Sequence, residues 1–314
     1  MRYTVKTTHI AITLLTVFAA FLTVGAQTYK PAAQFESLMN MRFYEANGGF
    51  LVEDVQVVFP PGAVKDASLV VTETGGKQAA SVPLRYERME FPAFGRFRPA
   101  TGNPGNLRIG RAGDYVMSLV VDGQPLTQMP FTLKEETSID PFSPGKRFVR
   151  SGPWPDLAYL RVVPDDPEGQ MTFSWWTSTR ELPAGVKSPK VTVHLMSVGK
   201  EIAATQGAVV PDAMDWYFYN YKQLSVPGVP RAHWLTLSDV QKLNGDVSLV
   251  LKANGTPFKT YKLNVAGGQI QRLTENGLNH EPHTAWISPR FVDTSSGSNS
   301  SYKMYEMYWL KAVK

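Results

Sequence analysis

The 314-residue sequence contains no cysteine and only five histidines. The absence of cysteine excludes disulfides and cysteine nucleophiles, so each domain must be stabilised by its own hydrophobic core, which about 100 residues can supply. The sequence also lacks a G-x-S-x-G elbow, a P-loop and a dinucleotide fingerprint. We therefore predict no catalytic residue, no metal and no cofactor.

The chain has little excess charge, a formal +5 at pH 7. So mild a charge argues against a nucleic-acid partner. Two of the positive charges, Arg2 and Lys6, precede an apolar run at residues 10–24 that ends in small residues. This pattern is typical of a secretory signal peptide at residues 1–26, with an uncleaved N-terminal anchor as the alternative. We expect cleavage, no later transmembrane segment and an extracytoplasmic protein that is periplasmic, on the cell surface or secreted.

One segment of the sequence occurs twice. "GDYVMSLVVDGQPLTQMPFTL" at residues 113–133 aligns without a gap with "GDVSLVLKANGTPFKTYKLNV" at residues 245–265. Both copies alternate apolar and polar residues, which predicts strands with one buried face. Each copy also contains a turn dipeptide, Asp122-Gly123 or Asn254-Gly255, of the kind that adopts positive φ at both centres of a type I′ turn. We therefore predict a β-hairpin in each copy.

A proline follows each turn glycine by two residues, Pro125 in the first copy and Pro257 in the second. Proline has no backbone N–H and is confined in sheets to edge strands and bulges. The second strand of each hairpin is therefore predicted to be an edge strand or to be bulged at this point.

The stretch "AGDYVM" at residues 112–117 resembles the Ala-Gly-x-Tyr-x-Cys stretch of immunoglobulin-like domains, in which the tyrosine forms a corner at the start of a strand. Tyr115 occupies the tyrosine position and Met117 the position of the disulfide cysteine. In the second copy Val247 and Leu249 stand at these positions. The resemblance implies cysteine-free immunoglobulin-like or fibronectin-III-like sandwiches.

A weaker similarity between residues 68–81 and 191–205 supports a duplication of the whole domain. The expected fold is all-β, with two tandem immunoglobulin-like β-sandwiches and a C-terminal extension. The predicted boundaries are a signal peptide at 1–26, an N-terminal arm at 27–41, a first sandwich at 42–134, a Pro-rich linker at 135–156, a second sandwich at 157–266 and an extension at 267–314 that packs on the second sandwich.

Aromatic residues are concentrated in the second half, and all seven tryptophans lie at or beyond Trp154. In "WYFYNY", strand alternation places Tyr217, Tyr219 and Tyr221 on one face, where they could stack on sugar rings or contact a protein. Trp176 of the Trp-Trp pair is a further candidate for ligand binding. The alternative is that these rings pack in the core or against the linker and the C-terminal extension.

A third candidate is "NHEPH", because His280, Glu281 and His283 are residue types that bind zinc or copper. The spacing is not that of a zinc protease helix, and Pro282 disfavours a helix here. The leading hypothesis is an exported, non-catalytic binding or interaction protein with an unknown protein or glycan partner. The alternatives are a carbohydrate-binding protein that uses the aromatic residues of the second domain, and a metal-dependent hydrolase.

Overall fold

β-Strands make up most of the described chain, which confirms the all-β prediction. The structure is a computed structural model that describes residues 32–33, 36–39, 41–58, 66–88, 94–101, 105–138, 144–163, 166–183, 186, 188–210, 216–228, 233–273, 291–293, 302–304 and 306–313. The predicted signal peptide lies outside these residues. Within them, no helix is long and apolar enough to cross a membrane.

The first half of the molecule runs to residue 151 and contains eleven described strands and a short helix. They are β1 (Ala32–Ala33), α1 (Glu36–Met39), β2 (Arg42–Tyr44), β3 (Gly49–Val52), β4 (Val55–Val58), β5 (Ala67–Glu73), β6 (Gln78–Arg88), β7 (Phe94–Pro99), β8 (Gly105–Arg108), β9 (Gly113–Val121), β10 (Gln124–Thr137) and β11 (Lys146–Ser151).

The second half begins at residue 157, after a 3₁₀ turn at Trp154–Asp156. It contains β12 (Leu157–Val162), β13 (Met171–Thr177), a 3₁₀ turn (Thr179–Glu181), β14 (Lys190–Ser197), β15 (Lys200–Ala204), β16 (Ala208–Val209), β17 (Tyr217–Gln223), β18 (Ser225–Val226), β19 (His233–Trp234), α2 (Leu237–Gln241), β20 (Gly245–Ala253), β21 (Thr256–Ala266), β22 (Gln269–Ile270), β23 (Phe291–Asp293), β24 (Tyr302–Met304) and β25 (Met307–Ala312).

Each half is organised around one long antiparallel sheet path. The first sheet has the order β1-β4-β7-β6-β5-β9-β10-β11, and the three-stranded sheet β2-β3-β8 contributes to the same core. The second sheet has the order β17-β13-β12-β25-β21-β20-β14-β15-β18-β19, with β16 beside β14 and β22 beside β21. Strands β23 and β24 pair only with each other among the described residues.

Both predicted hairpins are present, as β9–β10 and β20–β21. The turn residues have positive φ at both centres, 48° and 77° at Asp122 and Gly123, and 47° and 88° at Asn254 and Gly255. These values confirm the prediction of type I′ turns, a turn type whose backbone twist matches that of the flanking strands. The alternating apolar residues of both copies are buried, which confirms the predicted inward face.

The turn prolines coincide with bulges in both hairpins. In the first hairpin, Pro125 pairs with Val120 and Thr127 pairs with Leu119, so Leu126 is the extra residue of the bulge. In the second, Pro257 pairs with Lys252 and Phe258 is the extra residue. The prediction that the strand is bulged where proline removes a backbone donor is therefore confirmed.

The similarity between the halves extends beyond the hairpins to four strands that are adjacent in each sheet. The order β6-β5-β9-β10 in the first half matches β15-β14-β20-β21 in the second. Val71 of β5 pairs with Met117 of β9, and Leu195 of β14 pairs with Leu249 of β20. Met117 and Leu249 are aligned residues of the repeated segment. The pairing of β5 with β6 shifts register directly after Val71, and the pairing of β14 with β15 shifts register directly after Leu195.

The two halves share one buried apolar layer. A core confined to the second half lies inside its sheet. The core of the first half, by contrast, continues onto the outer face of the second sheet, where it includes Trp154, Tyr159, Trp176 and Trp309. Residues Pro31–Lys314 accordingly form one compact unit, whereas the sequence suggested two cores separated by a linker.

Residues 135–156 do not form the predicted linker. Their first part completes β10 and their last part includes β11, which pairs with β10 from Thr132↔Ser151 to Thr137↔Lys146. Trp154 is fully buried and its indole N–H donates to the backbone oxygen of Met39, at 3.2 Å. The described residues of this segment are therefore built into the first sheet and the first core, which the linker-like composition did not indicate.

The predicted N-terminal arm and C-terminal extension are both partly built into the sheets. In the arm, Leu38 and Met39 of α1 are buried in the first core. In the extension, β25 lies between β12 and β21 and so joins distant parts of the second sheet.

Candidate ligand-binding site

The second sheet closes on itself through a single stretch of chain. Strand β17 pairs with β13 at one end of the sheet path, then runs through Leu224 directly into β18, which pairs with β15 near the other end. The Leu235 N–H donates to the Leu224 carbonyl at 2.8 Å, and Met171 in turn donates to Leu235 at 2.7 Å. These bonds seal the seam where the two ends of the curled sheet meet.

A cavity of about 300 Å³ opens at this seam. This is the smaller end of the range for ligand pockets, which often form at the mouths of closed sheets. Its lining combines two tryptophans with neutral polar side chains, one cation and an exposed backbone turn; the lining residues are Trp175, Thr205, Gln206, Gly207, Ala208, Lys222, Gln223 and Trp234.

Trp175 lines the cavity and is 1% exposed. Its ring is stacked between Phe173, at a centroid distance of 5.3 Å, and Tyr219, at 4.6 Å. Its indole N–H is buried and has no acceptor among the described residues. A buried donor without a partner costs about 1–3 kcal/mol, so a ligand that accepts this hydrogen bond would recover free energy on binding.

Trp234 also lines the cavity and is only half-buried. It lies on β19, where it pairs with Ser225 of β18. The helix that follows is fixed by a capping box between Thr236 and Asp239, and the His233 imidazole is bonded to the same Asp239 carboxylate at 3.0 Å. The strand that carries Trp234 is therefore held on one side by its pairing with β18 and on the other by the capped helix α2.

The loop at residues 205–207 and Ala208, the first residue of β16, complete the site. The backbone N–H of Thr205 donates to the Val193 carbonyl at 2.9 Å, and the Thr205 hydroxyl accepts from the Val193 N–H at the same distance. Gly207 has φ of 89°, and a Cβ there would lie 2.6 Å from the Lys190 side chain. Glycine at this position allows the loop to lie flat against β14.

The electrostatic character of the cavity is set by Lys222. No acidic residue lines the cavity, and Lys222 forms no ion pair within the described part of the chain. Its Nζ lies 5.9 Å from the centre of the Tyr219 ring, a distance compatible with a weak cation–π contact. The site therefore offers donors and one positive charge to a ligand.

Two of the site residues suggested by sequence, Tyr219 and Trp176, are packing residues. Tyr219 is 2% exposed, stacks on Trp175, and donates its hydroxyl to the Val209 carbonyl at 2.7 Å. Trp176 is 1% exposed and stacks on Phe218 in the layer between the halves. Buried rings cannot offer a face to a sugar from solvent, so these two residues do not form the exposed aromatic surface. The side chains of Tyr217 and Tyr221 lie outside the described part of the chain.

The histidine-rich segment with His280, Glu281 and His283 lies outside the described residues. Within the described part, no group of three or more histidine and acidic side chains is placed to hold a metal ion. The metal-dependent hydrolase hypothesis stays a prediction.

A buried ion pair lies at the end of β13, next to the boundary between the halves. Lys259 Nζ contacts Glu181 Oε1 at 2.5 Å, and the Thr177 hydroxyl donates to the other carboxylate oxygen at 3.3 Å. Burial raises the pKa of Glu181 against the opposing effect of Lys259, and burial lowers the pKa of Lys259. The neighbouring Arg180 reaches across to Glu136 of the first half at 2.9 Å. This cluster is a structural contact between the halves.

Comparison of the chain with protein-family models, with curated proteins and with solved structures gave no match.

Proposed function

We propose that this chain is an exported, non-catalytic binding protein whose second half takes a small, hydroxyl-rich ligand, a saccharide, into the seam cavity. The observation that carries the proposal is a cavity lined by Trp175, whose buried indole N–H has no partner among the described residues, and by the half-buried ring of Trp234. A partly exposed aromatic ring combined with a few polar groups is the usual composition of small-ligand sites. Gln206 and Gln223 add amide groups that can donate to and accept from sugar hydroxyls.

We further propose that the two halves are tandem immunoglobulin-like units that arose by duplication. Support comes from the shared order of four strands and from the matching bulges and turns. Further support comes from Tyr115, whose hydroxyl donates to the Arg111 carbonyl four residues upstream at 3.0 Å, as in a tyrosine corner. In this proposal the first unit acts as a support, because it covers the outer aromatic face of the second.

The saccharide proposal is tested by titrating the purified protein with a panel of mono- to tetrasaccharides and following tryptophan fluorescence and binding heat. We expect Trp234→Ala to weaken binding about tenfold or more, because it removes the half-buried ring while the sealed seam stays intact. Val209→Ala, at an exposed position outside the lining, is the matched control and should bind as the parent does. Binding that Trp234→Ala leaves unchanged would place the ligand elsewhere.

A further inference from the structure

The seam cavity has an unbalanced set of polar groups. Lys222 brings a positive charge to the wall, and Trp175 brings a buried N–H donor. Neither has a hydrogen-bonding or ionic acceptor among the described residues, and the described lining residues include no aspartate or glutamate. Of the other lining side chains, Trp234 carries an indole N–H donor, and the amides of Gln206 and Gln223 and the hydroxyl of Thr205 can both donate and accept.

Several other partly buried cations of the described chain have a carboxylate partner: Lys259 pairs with Glu181, Arg96 with Glu87, and Arg147 with Glu45. Lys222 has no carboxylate beside it among the described residues, so a ligand that carries a negative charge would supply its counter-ion.

We infer that the ligand of the seam cavity is an acidic saccharide, with a carboxylate placed against Lys222 and a ring or hydroxyl oxygen accepting from Trp175. The inference rests on the saccharide proposal and narrows it to one class. A volume of about 300 Å³ fits one sugar residue, and a single lysine matches a single negative charge. A highly sulfated polymer would call for several cations, and lysine supplies one point charge.

The experiment compares matched sugars by calorimetry at low salt. The probes are di- to tetrasaccharides of galacturonic and glucuronic acid, their neutral galactose and glucose counterparts, and glucose 6-sulfate as a sulfate-bearing arm. We expect the uronates to bind about ten- to hundredfold more tightly than the neutral sugars, since a charge-assisted hydrogen bond is stronger than a neutral one. The preference should fall as salt is raised.

Lys222→Met removes the charge and keeps much of the aliphatic side chain. It should abolish the preference for uronates and leave the weaker binding of neutral sugars in place. Lys200→Met, at an exposed hairpin position outside the cavity, is the control and should keep the preference.

The outcomes separate the two proposals. Neutral sugars binding as tightly as uronates, or a uronate preference retained in Lys222→Met, would overturn the inference while the saccharide proposal stood. A preference for the sulfate over the uronates would overturn the assignment to carboxylates. If no sugar of either kind bound, the saccharide proposal itself would fail.

Discussion

Replacing Trp154 by alanine tests whether the two halves depend on a shared core. The ring is fully buried between the halves, stacks on Trp216 at 6.3 Å and lies 5.1 Å from the Arg150 guanidinium carbon. Its N–H also bonds the Met39 carbonyl. Burial, stacking and the cation–π contact are all lost in the variant, so we expect the free energy of unfolding to fall by about 3–5 kcal/mol.

Trp154→Ala should not destabilise the two halves of the molecule equally. The second core is complete within the second half, whereas the first core is completed by residues of the second sheet. In calorimetry the parent protein should therefore unfold in one transition. Trp154→Ala should give two transitions, with the first half melting earlier than the second.

Trp154→Phe provides a graded control, since it keeps a buried ring and removes the N–H. It should cost about 1–3 kcal/mol, mainly for the Met39 carbonyl left without its donor. The reasoning would be refuted if Trp154→Ala cost less than about 1 kcal/mol, or if the parent already unfolded in two separate steps.

Two further substitutions test local features. Val198 has φ of 48° and is 90% exposed at the tip of the β14–β15 hairpin, so Val198→Asn should stabilise the protein by about 1 kcal/mol in urea unfolding. Val209 is also exposed but lies on a strand, so Val209→Asn should not stabilise the protein. An equal gain from Val209→Asn would contradict the argument that positive φ strains Val198. Lys259→Met leaves the Glu181 carboxylate buried without its cation and should cost about 3–5 kcal/mol near neutral pH. Burial already raises the pKa of Glu181, and protonation of its carboxylate removes the charge that Lys259→Met leaves unpaired. The loss of stability in this variant should therefore become smaller as the pH is lowered from 8 to 5. A loss of stability that does not depend on pH would indicate lost packing instead.

The hairpins were predictable because they are encoded locally. Alternation of apolar residues fixes which face is buried, and Asp122-Gly123 or Asn254-Gly255 fixes the turn, so no distant residue is needed to specify either element. The bulges followed from Pro125 and Pro257 for the same reason. The two copies could therefore be recognised from 21 aligned residues each.

The crossing between the halves could not be predicted in this way. A segment with Pro153, Pro155 and Gly152 has the composition of a linker, and composition does not reveal whether its tryptophan is buried. The structure places Trp154 in the first core, and β11 just before it in the first sheet. The density of aromatic residues near β13 and β17 was likewise ambiguous. Their alternation predicted two faces, and the described rings divide accordingly: Trp175 and Tyr219 pack in the second core, and Trp176 and Phe218 in the layer between the halves.

The cavity was beyond sequence reasoning because no short segment encodes it. Its lining comes from β13, the loop at 205–207 with the start of β16, the end of β17 and β19, which meet where the curled sheet closes. The covered aromatic face and the cavity are connected by neighbouring residues of one strand: Trp176 faces the first half, and Trp175 faces the second core and the cavity. A first half that holds Trp176 in place also limits how far β13 can move. We therefore expect ligand binding and the contact between the halves to be thermodynamically coupled, because both depend on the position of this strand.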